Sequence, residues 1–365
     1  MRASHPVEIG AGMKTGNSSL GKTFAIGLIA TLLLASHAHA EQPAPRPGAI
    51  APTVDHHFHL GSPALSAYVE QINKLDPSIF EHLSPEVFSK PTPTTALQML
   101  DQAGVERAVL ISSGHLFLTG GKLADRATEA RELRDENRFV VDTALASHGR
   151  FIAFIDINPL NPDAGDELAY WKGKPGVSGI KVHLGAAGFH ASSPEQVATL
   201  AKFFAEVRKA DLPLAVHLRG GGPFPKVEVE TFIAKVLSQA GNLPVQIAHG
   251  GGYAGADPAT IDSLSAFGDA IARKAPGTAN LVFDISGVVL PDETAKALGS
   301  SDAQLKLFVD LMRKIGLDRF VVGSDWPALG PIAPYYALMR QKLPLTDAEW
   351  AQLRANQAPF LNRAR

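Results

Sequence analysis

Two histidines separated by one residue are the first group in the sequence whose type and spacing suit metal binding. His57 and His59 lie in the run Thr53-Val54-Asp55-His56-His57-Phe58-His59-Leu60, whose apolar and β-branched residues indicate a strand. Residues i and i+2 of a strand project to the same face, so the two imidazoles project together and His56 projects away from them. Imidazole is the commonest protein ligand of zinc-like cations. The pair therefore predicts half of a metal site.

Further polar residues stand at the ends of other short apolar runs. They are Lys181, His183, His217, His249 and Asp325. The carboxyl ends of the strands of an α/β barrel meet at one mouth, where active sites lie. Five such residues in chain order are therefore expected to converge on the His57 and His59 pair.

The elements that must position these residues read as alternating strands and helices. The predicted strands are residues 53–57, 106–112, 151–156, 178–183, 214–217, 245–249, 281–285 and 319–325. Helix starts are signalled by Ser193, Ser301 and Thr346, and helix ends by Gly104 and Gly316. Eight such units predict a (β/α)8 TIM barrel, an α/β fold with the site at the carboxyl ends of the strands. The long first connection, residues 61–93, is expected to pass over the barrel mouth and to shape a substrate pocket.

The overall composition excludes some classes of partner. The chain has 365 residues, no cysteine, a formal net charge of -2 and 45% hydrophobic residues, which is typical of a globular protein. No charge bias points to nucleic acid or to an anionic membrane surface. We expect a small-molecule substrate and no nucleic-acid partner.

The amino terminus has the three parts of a secretory signal peptide. Basic residues precede an uncharged apolar run at 24–35, and Ala38-His39-Ala40 fits a processing site. The run is shorter than the roughly 20 apolar residues of a membrane helix, so cleavage after Ala40 is expected, with an uncleaved anchor as the alternative. Translation from Met1 or from Met13 gives the same mature chain.

The chain is predicted to have three parts. Residues 1–40 form the signal peptide, residues 41–50 a proline-rich linker, and residues 51–365 the barrel. The mature protein is expected to be secreted or periplasmic, without a stable membrane anchor. The sequence is compatible with a homodimer, but no surface patch in the sequence identifies an interface.

With these motifs in place, the sequence resembles the amidohydrolase superfamily. Within it, the chain is most similar to the amidohydrolase-related group that contains aminocarboxymuconate-semialdehyde decarboxylase and its relatives. The resemblance rests on residues 54–59, 179–183, 215–217, 248–251 and 323–327.

The resemblance implies a centre of one or two divalent metal ions. Its implied ligands are His57, His59, His217 and Asp325, and His249 would lie near the reacting group. Asp325 could also act as the general base for a metal-bound water. Zinc suits these donors best, and manganese, iron or cobalt are also accepted.

Four residues have open roles near this centre. Lys181 matches the lysine that is carboxylated between two metals in binuclear relatives, but it could equally be an ammonium that attracts an anionic substrate, or part of a structural ion pair. His183 and Trp326 are expected to line the pocket. Arg219 could clamp a substrate carboxylate through its planar guanidinium or be solvated.

The main functional prediction is a metal-dependent hydrolase that attacks an amide, lactone or ester carbonyl. The alternative is a metal-dependent carboxy-lyase, or decarboxylase, acting on an aromatic or unsaturated carboxylate. An arginine in the mouth would favour that alternative. A non-catalytic metal-binding barrel is the third reading.

Overall fold

The computed structural model describes residues 50–81, 83–119, 126–222 and 224–363. The predicted signal peptide and residues 41–49 of the predicted linker lie outside the described residues. None of the helices within the described ranges is both long enough and apolar enough to cross a membrane.

Eight parallel strands pair in chain order, which confirms the predicted TIM barrel. They are β1 (Val54–Phe58), β2 (Arg107–Ile111), β3 (Phe151–Asp156), β4 (Val177–His183), β5 (Leu214–His217), β6 (Val245–Ile247), β7 (Leu281–Asp284) and β8 (Phe320–Val321). Backbone hydrogen bonds from His56 N to Val322 O (3.0 Å) and from Asp325 N to His57 O (2.7 Å) join the last strand to the first.

Twelve α-helices occur in the described ranges. They are α1 (Pro63–Leu75), α2 (Pro93–Ala103), α3 (Leu116–Thr119), α4 (Arg126–Ala146), α5 (Ala164–Trp171), α6 (Pro194–Ala210), α7 (Lys226–Thr231), α8 (Pro258–Ala272), α9 (Asp292–Ala297), α10 (Asp302–Ile315), α11 (Ile332–Lys342) and α12 (Asp347–Ala355). The predicted caps are confirmed, because Ser193, Ser301 and Thr346 each accept a hydrogen bond from the third following backbone N–H. Gly104 and Gly316 end α2 and α10 as predicted.

The sixth and eighth strands are shorter than predicted. β6 ends at Ile247 and β8 ends at Val321. The backbone of His249 (φ 54°) and of Asp325 (φ 52°) is left-handed, a conformation that a strand cannot contain. Both polar residues therefore stand on sharp turns just beyond their strands.

The core has two layers. The larger one fills the space between the sheet and the surrounding helices. The smaller one lies among the strands, where Val54, Ile152 and Val321 pack with Phe360 from the last turn of the chain. The Phe360 ring lies 4.9 Å from the ring of Phe154. The carboxyl-terminal segment therefore closes the barrel interior near the starts of the strands.

The long connection after β1 carries a small apolar core of its own. Leu65, Val69 and Ile72 of α1 pack with Phe80 and with Phe117 of α3. Side chains of this connection line the main cavity, which confirms the predicted excursion over the barrel mouth.

Candidate metal centre and substrate cavity

The imidazoles of His57 and His59 face each other beyond β1, with their Nε2 atoms 3.1 Å apart. The other nitrogen of each ring meets an acceptor. His57 Nδ1 lies 3.0 Å from Asp284 Oδ2, and His59 Nδ1 lies 2.8 Å from the carbonyl oxygen of Ile111. Because a carboxylate and a carbonyl only accept, each Nδ1 carries the hydrogen and each Nε2 holds a lone pair. Two lone pairs therefore meet in one gap.

A carboxylate completes this gap. Asp325 Oδ1 lies 3.4 Å from the Nε2 atoms of both His57 and His59. Burial alone would raise the pKa of the Asp325 carboxyl, but His249, His59 and His57 hold that pKa well below its usual range. Three acceptors without a hydrogen between them repel one another unless a cation lies among them. The donor set therefore fits a divalent metal ion, as predicted.

Asp284 contacts the ring nitrogen of His57 that faces away from this centre. Its Oδ2 accepts hydrogen bonds from His57 Nδ1 and from Gln246 Nε2 (2.8 Å), and its Oδ1 accepts from Ser286 Oγ (2.5 Å) and from the backbone N–H of His249 (3.2 Å). Its oxygens are occupied by these donors, so Asp284 orients the imidazole of His57.

His249 lies beside the metal centre in a fixed orientation. Its ring stacks on that of His57 with centroids 4.8 Å apart. His249 Nδ1 lies 2.8 Å from the carbonyl oxygen of Ser286, so Nδ1 carries the hydrogen and Nε2 is the open nitrogen. A Cβ on Gly287 would lie 2.9 Å from His249 Nδ1, so only glycine leaves room for this ring. His249 also lines the cavity.

The histidines of the fourth and fifth strands form a second stack. His183 and His217 are partners in the β4–β5 register, and their rings lie 3.9 Å apart at 14°. Burial, followed by the neighbouring His183 and His249, lowers the pKa of His217 well below its usual value, so its ring is neutral. Among the described residues, His217 Nε2 is buried without a hydrogen-bond partner. His217 stands outside the close group of His57, His59 and Asp325, and its role as fourth ligand stays a prediction.

Trp326 and Lys181 line the cavity. Trp326 is fully buried and stacks on Phe58 with ring centroids 4.9 Å apart. Lys181 is only 1% exposed and ranks among the largest fully buried side chains. A buried lysine at the site is a strong sign of function, because removing an ammonium from water is costly.

The structure places Arg219 away from the cavity, and its role as a clamp for a substrate carboxylate stays a prediction. Its Nη2 lies 2.6 Å from Asp257 Oδ1 and 3.2 Å from Thr260 Oγ1. Arg219 is 4% exposed and is not among the side chains that line the cavity. Asp257 also caps α8 by accepting the Thr260 N–H at 2.7 Å. The guanidinium therefore anchors a loop to a helix start.

His115 and Asp156 also lie at this site, although the sequence patterns did not identify them as candidate site residues. The backbone N and the Nδ1 of His115 each lie 2.8 Å from Asp156 Oδ2, and the His115 ring lies 4.3 Å from that of His183. Burial raises the pKa of Asp156 to about 7. Asp156 ends β3, so the rule that found the other residues would also have found it. His115 lies four residues beyond β2, on a loop that the strand pattern does not reach.

The metal centre opens into one large cavity of about 290 Å³. Residues at the strand ends form its polar floor. Its apolar walls come mainly from the excursion and from the connections after β7 and β8, and include Leu65, Val69, Ile79, Phe80, Leu83, Val87, Leu290, Leu298 and Leu329. The cavity therefore offers polar groups at one end and hydrocarbon at the other.

The sequence profile of the amidohydrolases matches residues 54–354. The chain belongs to the amidohydrolase family. The match covers every strand and all the residues of the metal centre, which confirms the resemblance drawn from the motifs. No curated protein is significantly similar to the sequence.

Several solved structures share the fold at low sequence identity. A 5-carboxyvanillate decarboxylase from Sphingomonas paucimobilis is 15% identical, with a TM-score of 0.58 over 86% of this chain and 98% of its own. A dihydroxybenzoic acid decarboxylase from Polaromonas with bound manganese is 14% identical, with a TM-score of 0.54 over 84% and 95%. An amidohydrolase from Burkholderia multivorans with bound zinc is 14% identical, with a TM-score of 0.53 over 86% and 99%.

These neighbours correct the predicted function. Most of the neighbours compared are named as decarboxylases, including further 2,6-dihydroxybenzoate and 5-carboxyvanillate decarboxylases. The main prediction, a hydrolase, is therefore wrong as the leading assignment, and the neighbours favour the carboxy-lyase alternative. The family match and the donor set identify the protein as a metal-dependent enzyme of the amidohydrolase superfamily.

Proposed function

We propose that the protein is a metal-dependent carboxy-lyase that removes CO2 from a small aromatic or unsaturated carboxylic acid. The observation that carries this proposal is the division of the cavity between a cation-binding polar floor and apolar walls. A planar acid fits with its carboxylate at the floor and its hydrocarbon body between the walls. The decarboxylases among the structural neighbours support this reaction class.

The ion would be held by His57, His59 and Asp325, with His217 as the fourth ligand. When bound, it supplies positive charge that orients the substrate carboxylate and offsets negative charge during the reaction. Nitrogen and carboxylate donors suit Zn²⁺ best and also accept Mn²⁺, and neighbours contain either metal. We propose Zn²⁺ as the resident ion, with Mn²⁺ as a working substitute.

In the proposed reaction, the bond between the substrate carbon and its carboxylate breaks and CO2 leaves. The electron pair stays on the carbon, which takes up a proton. His249 is placed to carry this proton, because its Nδ1 hydrogen is held by Ser286 and its Nε2 is open. A proton at Nε2 makes an imidazolium that the nearby negative charge of Asp325 stabilises.

The test is CO2 release from a panel of hydroxybenzoic acids, including 2,6-dihydroxybenzoate and 5-carboxyvanillate. The purified protein is loaded with Zn²⁺ or Mn²⁺, and CO2 is measured together with loss of the acid. For at least one acid, we expect the amount of CO2 released to equal the amount of acid lost. His249→Asn should lower the rate by about 10²–10⁴-fold with metal content unchanged. The exposed His190→Asn is the matched control and should keep the full rate.

Two results would overturn the proposal. The first is stable metal binding without CO2 release from any acid in the panel, which leaves a non-catalytic barrel. The second is full activity in the His249→Asn variant.

We also propose that the mature enzyme is exported and acts on a small molecule without a nucleic-acid partner. The three-part pattern of residues 1–40 and the small net charge support this proposal. Mass spectrometry of the protein recovered from its native cell would show a chain that begins at Glu41, and light scattering would test the homodimer. A chain recovered with residues 1–40 attached would contradict export by cleavage.

A further inference from the structure

Lys181 is a buried cation at the floor of the cavity that the proposed reaction does not yet use. It lies on β4, in register with Asp156 of β3 and Ala215 of β5, and it lines the cavity with only 1% of its surface exposed. Within the described ranges, no carboxylate lies within 4.0 Å of its ammonium, and no acceptor forms a hydrogen bond with it.

A buried ammonium is expected to have an anionic partner. Removing an ion from water without pairing it is unfavourable, so buried charges are found paired. Burial lowers the pKa of Lys181, while the negative charges of Asp156, Asp325 and Asp284 act against that shift. Asp156, the nearest of these along the sheet, is already bonded to His115. The remaining partner must therefore enter through the cavity.

His183 offers a hydrogen-bond donor on the same strand. Its Nδ1 accepts the backbone N–H of Ala186 at 3.1 Å. A ring that accepts at Nδ1 carries its hydrogen at Nε2. His183 stacks on His217 and lines the same cavity as Lys181, so this donor and the ammonium both border that cavity.

We propose that Lys181 and His183 form a second anion subsite, which binds an ionised oxygen group of the substrate other than the carboxylate that leaves. The inference rests on the proposed function and narrows its substrate class to acids with two anionic groups. An ammonium and an imidazole N–H suit a second carboxylate or a phenolate, since charge-assisted hydrogen bonds are the strong ones. The hydrocarbon between the two groups would lie against the apolar walls.

The test compares the binding of acids that lack the activating hydroxyl group and therefore resist decarboxylation. Calorimetry with the metal-loaded protein measures Kd for benzoate and for the dianions phthalate, isophthalate and terephthalate, whose carboxylates stand at three spacings. We expect the best dianion to bind at least about tenfold more tightly than benzoate, as one charge-assisted pair would give. Equal affinity for benzoate and all three dianions would overturn the proposal, and this comparison needs no variant.

Variants locate the subsite. Lys181→Met keeps the volume, removes the charge and should abolish the dianion preference while benzoate still binds. His183→Phe keeps the stack on His217 and should lower the preference by about threefold, as loss of one neutral hydrogen bond would. Lys90→Met is the matched control, because Lys90 also lines the cavity but already pairs with Glu70 at 2.5 Å. A dianion preference that survives in Lys181→Met would contradict the subsite.

Metal analysis separates this role from a carboxylated lysine. A second metal equivalent that is lost in Lys181→Met would show a bridging carbamate and overturn the proposal. The binding readout is also independent of turnover. A dianion preference without any CO2 release would contradict the proposed function and support the subsite. CO2 release without a dianion preference would support the proposed function and contradict the subsite.

Discussion

Asp284 Oδ2 accepts the Nδ1 hydrogen of His57 over 3.0 Å, and this bond turns the Nε2 lone pair of His57 toward His59. The carboxylate is fully buried, and burial alone would raise its pKa. The neighbouring His57, His249 and Ser286 instead hold that pKa well below its usual range. Asp284 is thus a permanent anion that sets the tautomer of a metal ligand.

Replacing Asp284 by Asn should weaken metal binding without removing a ligand. An uncharged amide no longer fixes the Nδ1 hydrogen of His57, so we expect the metal Kd to rise by about tenfold to a hundredfold. Competition with a chromophoric chelator measures this change. The exposed Asp310→Asn is the control and should bind metal like the unmodified protein. Unchanged affinity in Asp284→Asn would contradict a positioning role.

A second buried carboxyl predicts a pH effect on stability. Burial raises the pKa of Glu136 to about 7 from its usual 4.5, although its oxygens accept the Ser62 N–H at 3.2 and 3.3 Å. A raised pKa favours the folded state below pH 4.5, and this contribution is lost as the pH rises through 7. Glu136→Gln cannot ionise and should escape this loss.

The size of the effect follows from the shift. One pKa unit corresponds to about 1.4 kcal/mol. Between pH 5 and pH 8, the free energy of unfolding of Glu136→Gln should therefore increase by about 2 kcal/mol relative to that of the unmodified protein. Urea denaturation at both pH values measures it. Asp135→Asn, an exposed neighbour on α4, should show no such pH-dependent gain. A parallel pH profile for Glu136→Gln and the unmodified protein would rule out the assignment.

The sequence was informative wherever strand periodicity alone places a side chain. His57, His59 and His217 lie on or directly after regular strands, so their shared mouth could be predicted. His56 faces away as expected, with Nδ1 donating to Val322 O at 3.1 Å and Nε2 accepting Ala358 N–H at 3.2 Å.

Local turns and distant partners were not predictable in the same way. His249 and Asp325 were expected on strands, yet left-handed backbone, which non-glycine residues adopt only when their surroundings force it, places them on turns. The partner of Arg219 is Asp257, 38 residues further along the chain. No periodic pattern links such a pair, so the contact between Arg219 and Asp257 could not be predicted from the sequence.

The Arg219 pair should contribute to stability and not to binding. Arg219→Met leaves the Asp257 carboxylate unpaired beside a buried side chain, which typically costs about 3 kcal/mol of unfolding free energy. Benzoate affinity should stay within about twofold. Arg138→Met is the control, since both side chains of its pair with Asp135 are about half exposed and its loss should cost less than about 1 kcal/mol. Weaker benzoate binding at unchanged stability would restore the clamp predicted from the sequence.

Gly287 should be essential for the orientation of His249. Its φ is 69°, and an added Cβ would lie 2.9 Å from His249 Nδ1. Gly287→Ala should therefore lower kcat at least about tenfold by displacing the ring, while metal content is unchanged. Gly299→Ala is the matched control, because Gly299 has a φ of 74° and nothing within 4 Å of the added Cβ. It should carry only the backbone cost of about 1–2 kcal/mol and keep its rate. Equal rates in the two variants would show that the ring tolerates the contact.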